Sequence, residues 1–506
     1  MMSATFPGAT LVRRAMALGC ALVAVVVLYA LAAKPVHAVT LTVNSTADPG
    51  TGGCNSTECT LREAINVSNG LPTSETINFA IPDNPAIAGP EVKTISASSQ
   101  LPPITDNVTI DGYTQAGAVA NTAITNTNSA VLKIELSGRR PNGSRLAASG
   151  LTIQASSCLI KGLAIDRFGQ HGVVLKSASN TLAGNFIGID PGGTLDRGNG
   201  GDGVRIESSD NLIGGPANAA QNIISGNNDN GVLIDNIGAS GTEVLGNYIG
   251  LNRNGNGFSD IGNTLDGVRV SSAPQAEIGG TLAGEGNTIS DNGQHGVEIA
   301  GSSSTFTKVL GNRLGTNFNG SSAFGNTEVG VRVETPGNFV GGTATGARNV
   351  ISGNPNHGVM IIGGAATGNS VLRNSIFGNG SPGGLGIALN NDGVTANDTK
   401  DPDTGPNKLQ NFPVITSAST TTIEGSLNSR PNKTFTIQFF SNPAPNIPTG
   451  FGEGETFLGE KTVTTNDRGR ASFTFATALT AGEFVTATTT DASGNTSEFS
   501  RARVVE

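Results

Sequence analysis

Apolar and polar residues alternate in short runs along most of this chain, and each run ends at glycine or asparagine. In "GVRIE", for example, Val204 and Ile206 face one way while Arg205 and Glu207 face the other. Runs of about six residues or fewer have the length of short strands and are too short for amphipathic helices. The pattern therefore predicts an all-β chain made of many short strands.

The short runs recur with a fixed period, which indicates a repeat architecture. "GNFIG" begins at residue 184, "GNYIG" at 246 and "GNRLG" at 311, so the spacings are 62 and 65 residues. The motifs "(I/V)GG" and "N-x-IS" follow with the same step, and each unit divides into two similar halves. Stacked coils of this kind bury their apolar faces only against their neighbours. We predict a right-handed parallel β-helix with about two coils per unit and coils about 4.8 Å apart.

The two ends of the chain break this period. "CTLREAINVSNG" predicts a short helix, in which Thr60 and Glu63 form a capping box and Gly70 supplies the stop. An open β-helix end exposes unpaired backbone, so a covering element is expected there. After residue 411, runs such as "TFTIQFFS" and "EFVTATTTD" predict an antiparallel, Ig-like β-sandwich. The predicted domains are a signal peptide (1–38), an N-terminal cap with the first coils (39–110), the parallel β-helix (111–392), an acidic linker (393–411) and the sandwich (412–506).

Several segments carry a family resemblance. "STADPGTGGCNSTECTLREAIN" resembles the N-terminal module of the CSLREA-type bacterial β-helix proteins, with Thr60 in place of the family's serine. "LPPITDNVTIDGYTQAG" resembles the first coils of that family, and "GNYIG…GNTLDGVRV…IGG" resembles its body. "GEGETFLGEKTV…DASGNTSEFS" resembles bacterial Ig-like modules found after such helices. The resemblance implies a secreted or surface bacterial protein with a parallel β-helix, and it implies no particular activity.

The first residues resemble a secretory signal peptide. Arg13 and Arg14 precede an apolar run over 15–33, and Val36 and Ala38 are small residues at the positions before a cleavage site. We predict cleavage after Ala38, with an uncleaved membrane anchor as the alternative. The remaining sequence contains no other long apolar run, so we predict a secreted or cell-surface protein with no membrane span after cleavage.

The charge of the chain restricts its partners. Removing the three basic residues of the signal peptide from the total of 30 leaves 27 against 39 acidic residues, a net charge of −12. Such a balance argues against nucleic acid and against anionic membrane surfaces as partners. Of the cysteines, Cys54 and Cys59 are close enough in sequence to form a local disulfide in an exported protein. Cys158 is expected to be buried on a strand rather than to act as a reactive thiol.

Three histidines stand directly before Gly-Val, and histidine is a frequent acid, base or metal ligand. They are His171, His295 and His357, and Asn230 occupies the same place in the remaining unit. With two coils per unit, successive members lie roughly 10 Å apart, too far for one metal ion or one proton relay. We therefore interpret them as a structural ladder at a turn whose backbone adopts a positive φ.

A second column of residues follows each Gly-Val and contains most of the strand charges. If the register holds, Glu298 lies between Arg269 and Arg332 on the outer surface, and Arg205 lies further along the same column. A basic strip would bind an anionic polymer, whereas alternating charges would pair and solvate the sheet. The glutamate in the middle favours the paired ladder over the ligand-binding strip.

Candidate catalytic groups are few. Asp190, Asp202 and Asp266 lie in copied turns or open a loop, so only Asp166 and Arg167 in "AIDRFG" stand outside the repeat pattern. They are the catalytic candidates, with an ordinary surface ion pair as the alternative.

The junction before the last domain offers a candidate metal site. Asp398, Asp401, Asp403 and Asn407 supply several oxygen ligands over ten residues, as Ca²⁺ requires, and "DPDTG" has the spacing of calcium loops without the downstream glutamate of an EF-hand. A solvated acidic turn is the alternative. Ca²⁺ is the one cofactor that the sequence suggests.

Two functions fit these observations. The first is a non-enzymatic surface protein, whose solenoid acts in adhesion or binds an extracellular matrix or surface protein. The second is an extracellular polysaccharide-active enzyme (a lyase, glycoside hydrolase or epimerase), because parallel β-helices host such chemistry. The absence of tryptophan weakens sugar binding, and the sequence favours the non-enzymatic function.

Overall fold

The computed structural model describes residues 38–50, 52–87, 89–123, 127–257, 260–380, 383–444 and 450–506. All of the predicted signal peptide except Ala38 lies outside these described residues. Within them, no helix is both long and apolar enough to cross a membrane.

The described residues contain one α-helix, α1 (Leu61–Ser68), and 37 strands. Short 3₁₀ segments lie at Gly112–Thr114, Asn218–Ala220, Ile237–Ala239 and Pro406–Leu409. The first thirty strands are two to five residues long. They are β1 (Thr40–Val43), β2 (Glu75–Phe79), β3 (Lys93–Ser96), β4 (Val108–Asp111), β5 (Ile134–Ser137), β6 (Leu151–Ile153), β7 (Leu159–Lys161), β8 (Leu163–Asp166), β9 (Val173–Leu175), β10 (Thr181–Ala183), β11 (Phe186–Ile187), β12 (Val204–Ile206), β13 (Leu212–Gly214), β14 (Ile223–Ile224), β15 (Val232–Asp235), β16 (Glu243–Leu245), β17 (Tyr248–Ile249), β18 (Val268–Ser271), β19 (Glu277–Gly279), β20 (Thr288–Ile289), β21 (Val297–Ala300), β22 (Lys308–Leu310), β23 (Arg313–Leu314), β24 (Val331–Val333), β25 (Phe339–Gly341), β26 (Val350–Ser352), β27 (Val359–Ile361), β28 (Ser370–Leu372), β29 (Ser375–Phe377) and β30 (Ile387–Leu389). The last seven are β31 (Val414–Ala418), β32 (Thr422–Asn428), β33 (Thr434–Asn442), β34 (Thr456–Thr464), β35 (Arg470–Ala476), β36 (Phe484–Asp491) and β37 (Arg503–Val504).

The first thirty strands form three parallel sheets, in which neighbouring strands come from successive coils. Sheet A has the order β1-β2-β4-β7-β10-β13-β16-β19-β22-β25-β28, sheet B the order β29-β26-β23-β20-β17-β14-β11-β8-β5-β3, and sheet C the order β30-β27-β24-β21-β18-β15-β12-β9-β6. This is the predicted parallel β-helix. The repeated "GN-x-(I/L)-G" motifs contribute strands of sheet B, and the "GV" motifs contribute strands of sheet C.

Stacked apolar side chains form the core inside the helix. In sheet A, Leu182 lies between Ile160 and Ile213 in register, and Val244 and Ile278 follow in the next coils. All five are fully buried. Each coil places only a few apolar side chains inside, so their burial depends on the coils above and below. The period of two along each strand is therefore what assigns residues to the core.

Two ladders of buried asparagines run along the turns of the helix. Within each ladder, a side-chain amide donates to the Oδ1 of the next asparagine and accepts from the previous one; between Asn292 and Asn326, for example, Nδ2 and Oδ1 are 2.9 Å apart. The asparagines also bind backbone groups that the turns leave unpaired. The first ladder contains Asn185, Asn222, Asn247, Asn287, Asn312, Asn349 and Asn374, and the second contains Asn199, Asn227, Asn263, Asn292, Asn326, Asn354 and Asn379.

Helix α1 covers the N-terminal end of the core, as the sequence predicts. Thr60 accepts from the backbone N–H of Glu63, and Glu63 accepts from the backbone N–H of Thr60, which forms the predicted capping box. Leu61 and Ile65 pack into the main core. A disulfide joins Cys54 to Cys59 beside the helix. Cys158 is buried and unbonded, and its burial raises the pKa of the thiol.

The last seven strands form two antiparallel sheets that share an apolar core. Sheet D has the order β31-β32-β35 and sheet E the order β34-β33-β36-β37. Phe435, Phe439 and Phe473 lie in their common core, which is the predicted sandwich architecture. Phe440 and Phe499 instead belong to the core of the β-helix. The sandwich therefore also covers the C-terminal end of the solenoid.

Candidate functional site

Two carboxyl groups lie side by side on the outer face of sheet B. Glu135 is in β5 and Asp166 ends β8, and these strands are neighbours with Ser137 paired opposite Asp166. Strand alternation places both side chains outward, because Leu136 and Ile165 point into the core. Both groups are nevertheless buried, with 3% of Glu135 and none of Asp166 exposed.

Two arginines cover this pair. The Nη2 of Arg167 lies 2.8 Å from the Oε1 of Glu135, and its Nε lies 3.0 Å from the Oδ1 of Asp166. Arg197 donates to the same Oε1 of Glu135, and its Nη1 is 3.8 Å from the Oδ2 of Asp166. Thr94 donates to the other oxygen of Glu135 at 2.5 Å. Glu135 and Asp166 thus contact the guanidinium groups of both Arg167 and Arg197.

The pKa values of the two carboxyl groups move in opposite directions. Burial raises the pKa of Asp166 to about 7, and the hydrogen bond and charge of Glu135 add to the rise. Burial by itself would raise the pKa of Glu135. Hydrogen bonds with Asp166 and Thr94, together with the charges of Arg197 and Arg167, outweigh burial and lower this pKa. The Oδ2 of Asp166 is buried without a hydrogen-bond partner, and such burial favours the protonated form of a carboxyl group.

A basic pocket opens above these groups. It has a volume of about 370 Å³ and is lined by Arg139, Gly143, Arg145, Arg167, Asp196, Arg197 and Gly198. Arg139 and Arg145 face each other across a turn that leaves sheet B. Asp196 is the carboxylate of the pocket, and its Oδ1 accepts from the backbone N–H of Gly198 at 2.8 Å. Partial burial of this carboxylate raises the pKa of Asp196, although the charge of Arg145 opposes the rise.

The sequence found only part of this site. It singled out Asp166 and Arg167 and treated a surface ion pair as their alternative, but Asp166 is fully buried and Arg167 also binds Glu135. The residues that it missed are Glu135, Arg139, Arg145, Asp196 and Arg197. The one feature of the sequence that could have indicated this site is the concentration of arginines between residues 139 and 197 in an acidic chain.

The charged column on sheet C is a ladder of paired charges. Glu298 lies in register between Arg269 and Arg332, as expected. Arg269 donates to Glu298, and the Nη1 of Arg332 is 3.7 Å from the Oε1 of Glu298. Arg205 pairs with Glu207 at 2.9 Å and with Asp235 at 2.5 Å. Since each of these arginines has a carboxylate partner, the column does not form the basic strip that an anionic polymer would need.

The histidines before Gly-Val belong to a ladder of side-chain acceptors. The Nδ1 of His171 accepts from the backbone N–H of Asp202 at 3.0 Å, and the Oδ1 of Asp202 accepts from that of Asn230 at 3.2 Å. Asp266 accepts likewise from His295 at 3.0 Å. The expected positive φ is wrong, because none of the three histidines is among the described residues with one. The Nδ1 of His357 accepts in the same way from the backbone N–H of Leu385 at 3.0 Å, whereas the Nδ1 of His295 is buried without a hydrogen-bond partner. Burial, with the charges of Arg332 and Arg269, lowers the pKa of His295 to about 4.

The acidic junction brings together three of its four predicted ligands. Asp398, Asp401 and Asp403 each place one carboxylate oxygen within 4.8 Å of the others. The prediction for Asn407 is wrong. Its Oδ1 accepts from the backbone N–H of Asn369 at 2.9 Å, and its Nδ2 donates to the carbonyl of Asn369 at 2.7 Å. Asn407 therefore extends a polar ladder of the β-helix rather than joining the carboxylates.

A second pocket, of about 400 Å³, lies further along sheet B. Tyr248, Arg313 and Phe318 line it together with Gln221 and several glycines. Tyr248 and Glu135 belong to the same outward column of sheet B, four coils apart, which corresponds to about 19 Å.

Comparison with known proteins finds similar solved structures. The Dettilon tailspike protein is similar to this chain at 13% identity and a TM-score of 0.40, over 92% of this chain and 95% of that one. The enzymatically active domain of tailspike protein 2 from bacteriophage CBA120 is similar at 14% identity and a TM-score of 0.32, over 93% and 76%. A PL6 family polysaccharide lyase from Pseudopedobacter saltans is similar at 13% identity and a TM-score of 0.33, over 73% and 80%. No protein-family model and no curated protein matches the chain.

These comparisons correct the predicted function. The prediction of a non-enzymatic surface protein is wrong, because the similar structures include an enzymatically active tailspike domain and a polysaccharide lyase. The alternative prediction, a polysaccharide-active enzyme, is argued below as a proposal. Likeness at 13–14% identity is a likeness of fold, so the chemistry must be argued from the residues of this chain. The CSLREA resemblance likewise rests on the quoted residues, since no family model supports it.

Proposed function

We propose that this protein is an extracellular enzyme that cleaves a carboxylate-bearing polysaccharide by β-elimination in the basic pocket. The observation that carries the proposal is one exposed carboxylate, Asp196, among four arginines in an open pocket. The export of the chain is part of this proposal, and it is supported by the signal-peptide pattern and by the resemblance to CSLREA-type proteins.

The arginines favour a polyanionic substrate. Four guanidinium groups face the pocket and Asp196 is the one carboxylate that lines it, so the lining is net positive in a chain whose net charge is −9. Arginine binds carboxylates through two parallel hydrogen bonds, which fixes the orientation of a uronate ring as well as its position. A neutral polysaccharide would offer these guanidinium groups no carboxylate to bind.

Asp196 can serve as the base. Its carboxylate removes the proton from the carbon next to the substrate carboxylate, and an arginine stabilises the charge that develops on that carboxylate. The electron pair of the broken C–H bond forms a carbon–carbon double bond, and the bond to the glycosidic oxygen breaks. The leaving oxygen takes a proton from water. A pKa raised above that of an ordinary aspartate makes Asp196 a stronger base.

Hydrolysis fits the site less well. A glycosidase needs two carboxyl groups about 5–10 Å apart on either side of the bond that is cleaved. Glu135 and Asp166 are instead both buried and paired with Arg167 and Arg197, where they cannot flank a sugar. We assign them a positioning role: they hold Arg167 and Arg197 toward the substrate.

The test is a lyase assay with the purified chain on a panel of uronate-containing and neutral polysaccharides, which follows the ultraviolet absorbance of unsaturated products. We expect activity on at least one uronate polymer and none on neutral ones. Asp196→Asn should lower kcat/KM at least ~100-fold. Asp229→Asn, which changes a partly exposed aspartate outside the pocket, is the matched control. Full activity of Asp196→Asn, or no activity on any uronate polymer, would contradict the proposal.

A further inference from the structure

The acidic junction between the β-helix and the sandwich has the geometry of a cation site. Asp398, Asp401 and Asp403 each offer one carboxylate oxygen, and these three oxygens lie within 4.8 Å of one another. Two oxygens bound to the same calcium ion, each at about 2.4 Å, are at most about 4.8 Å apart. The distances between the three oxygens therefore stay within the upper limit that binding to one calcium ion sets.

A buried oxygen without a partner points to the same place. Asp401 is completely buried, and its Oδ1 has no hydrogen-bond partner. The Oδ1 of Asp403 is also buried without a partner. The other oxygen of Asp401 accepts from Gln410 at 2.8 Å and from Ser429, which leaves Oδ1 as the oxygen available to a ligand. A buried carboxylate oxygen is costly unless it is hydrogen-bonded, protonated or bound to a cation.

We propose that Asp398, Asp401 and Asp403 bind one Ca²⁺ ion, which fixes the linker against the sandwich. This inference is independent of the lyase proposal and concerns a different part of the molecule.

The donors favour calcium over other ions. Three carboxylates with no histidine or cysteine form a set of hard oxygen ligands, which suits Ca²⁺ or Mg²⁺ rather than Zn²⁺. Ca²⁺ accepts six to eight oxygens in a flexible geometry, so water and backbone carbonyls can complete its shell. Arg430, the nearby cation, donates through Nε to the backbone carbonyl of Asp401 at 3.2 Å, and this contact leaves the carboxylate oxygens to the ion.

The site would tie together parts that are distant in sequence. Asp401 contacts Gln410 in the linker and Ser429 at the end of a sandwich strand. The same linker contains Asn407, whose Oδ1 accepts a hydrogen bond from the backbone N–H of Asn369 in the β-helix. An ion bound at Asp401 would thus stabilise the segment that connects the solenoid to the sandwich covering its end.

The experiment is a calcium titration of the EDTA-treated, dialysed full chain by calorimetry, together with Tb³⁺ luminescence and thermal unfolding with and without Ca²⁺. We expect one ion per chain and a higher Tm with Ca²⁺ than with EDTA. Asp403→Asn should weaken binding at least ~tenfold, and the double variant Asp398→Asn/Asp403→Asn should abolish it. Both variants keep the buried Asp401, so that they remain foldable.

Asp467→Asn is the matched control, because Asp467 is an exposed aspartate of the sandwich outside the cluster. It should bind Ca²⁺ as the unchanged chain does. The proposal is overturned if the unchanged chain binds no Ca²⁺ at millimolar concentration. It is also overturned if the double variant binds with unchanged affinity and keeps the same shift in Tm. Neither result would bear on the lyase assay.

Discussion

Glu453 stands where the next asparagine of the second ladder would stand. Its Oε1 accepts from the backbone N–H and from the Nδ2 of Asn379, at 2.9 and 3.0 Å, and its Oε2 accepts from the backbone N–H of Gly378 at 2.6 Å. Glu453 belongs to the sandwich, whereas Asn379 belongs to the last coils. The sandwich therefore satisfies polar groups that the end of a solenoid would otherwise leave unpaired.

We expect Glu453→Ala to destabilise the protein by about 2–4 kcal/mol, because three buried donors lose their acceptor. Glu453→Gln should cost less, since it keeps one acceptor oxygen. The measurement is the midpoint of chemical denaturation for each variant. Glu424→Ala, which removes an exposed glutamate of sheet D, should change the stability by less than about 0.5 kcal/mol. Equal effects at the two glutamates would contradict the capping role.

The interior of the ladder should be equally sensitive. Asn292 accepts from the amide of Asn263 and donates to Asn326, both at 2.9 Å. Asn292→Ala leaves both neighbours unsatisfied in a buried site, so we expect a loss of about 2–4 kcal/mol. The check is the Tm of this variant beside that of Asn142→Ala, which changes an exposed asparagine in a turn and should leave the Tm nearly unchanged.

Glu498 should make the stability depend on pH. Burial raises the pKa of Glu498 from 4.5 to about 7, although backbone N–H groups of Leu389 and Thr395 oppose the rise. The folded chain thus holds a proton that the unfolded chain has released. This contribution is present below pH ~4.5 and is lost as the pH rises through ~7, with a size of the order of 3 kcal/mol.

Thermal unfolding between pH 4.5 and 8 tests this sign. The Tm of Glu498→Gln should fall less over this range than that of the unchanged chain, because glutamine does not titrate. Glu424→Gln should reproduce the unchanged profile. An identical slope for Glu498→Gln and the unchanged chain would contradict the assignment.

The proposed base should also appear in the pH profile of activity. Because partial burial raises the pKa of Asp196, we expect kcat/KM to fall with decreasing pH at a midpoint above that of an ordinary aspartate. The profile of the residual activity of Asp196→Asn should lack this acidic limb. The measurement is kcat/KM across the acidic range on the best uronate polymer, and an unchanged acidic limb in the variant would argue for a different base.

Glu135 should act on binding more than on the chemical step. Glu135→Gln weakens the hold on Arg167 and Arg197, so we expect KM to rise about tenfold while kcat changes less. Steady-state kinetics separates the two effects, and the Tm reports any general loss of fold. If kcat alone fell, Glu135 would contact the reacting atoms instead of positioning the arginines.

Much of the fold could be predicted because the repeat makes it local. The alternation in "GVRIE" assigns Val204 and Ile206 to the core, and the capping box at Thr60 and Glu63 predicts α1 from four consecutive residues. For the ladder at His171, by contrast, the sequence predicts the position correctly, but the predicted reason, a positive φ, is wrong. His171 instead supplies a side-chain acceptor for the backbone of the next coil, and the sequence does not display the spacing between coils.

The sequence by itself determined the parallel β-helix, the helical cap and the change of architecture near residue 412, because periodicity and capping depend on neighbouring residues. Only the tertiary structure decided the basic pocket. Glu135, Asp166 and Arg197 are separated by 31 residues each, and they meet because successive coils stack in register and a long loop folds back over sheet B. The burial that raises the pKa of Asp166 arises only when the coils are assembled.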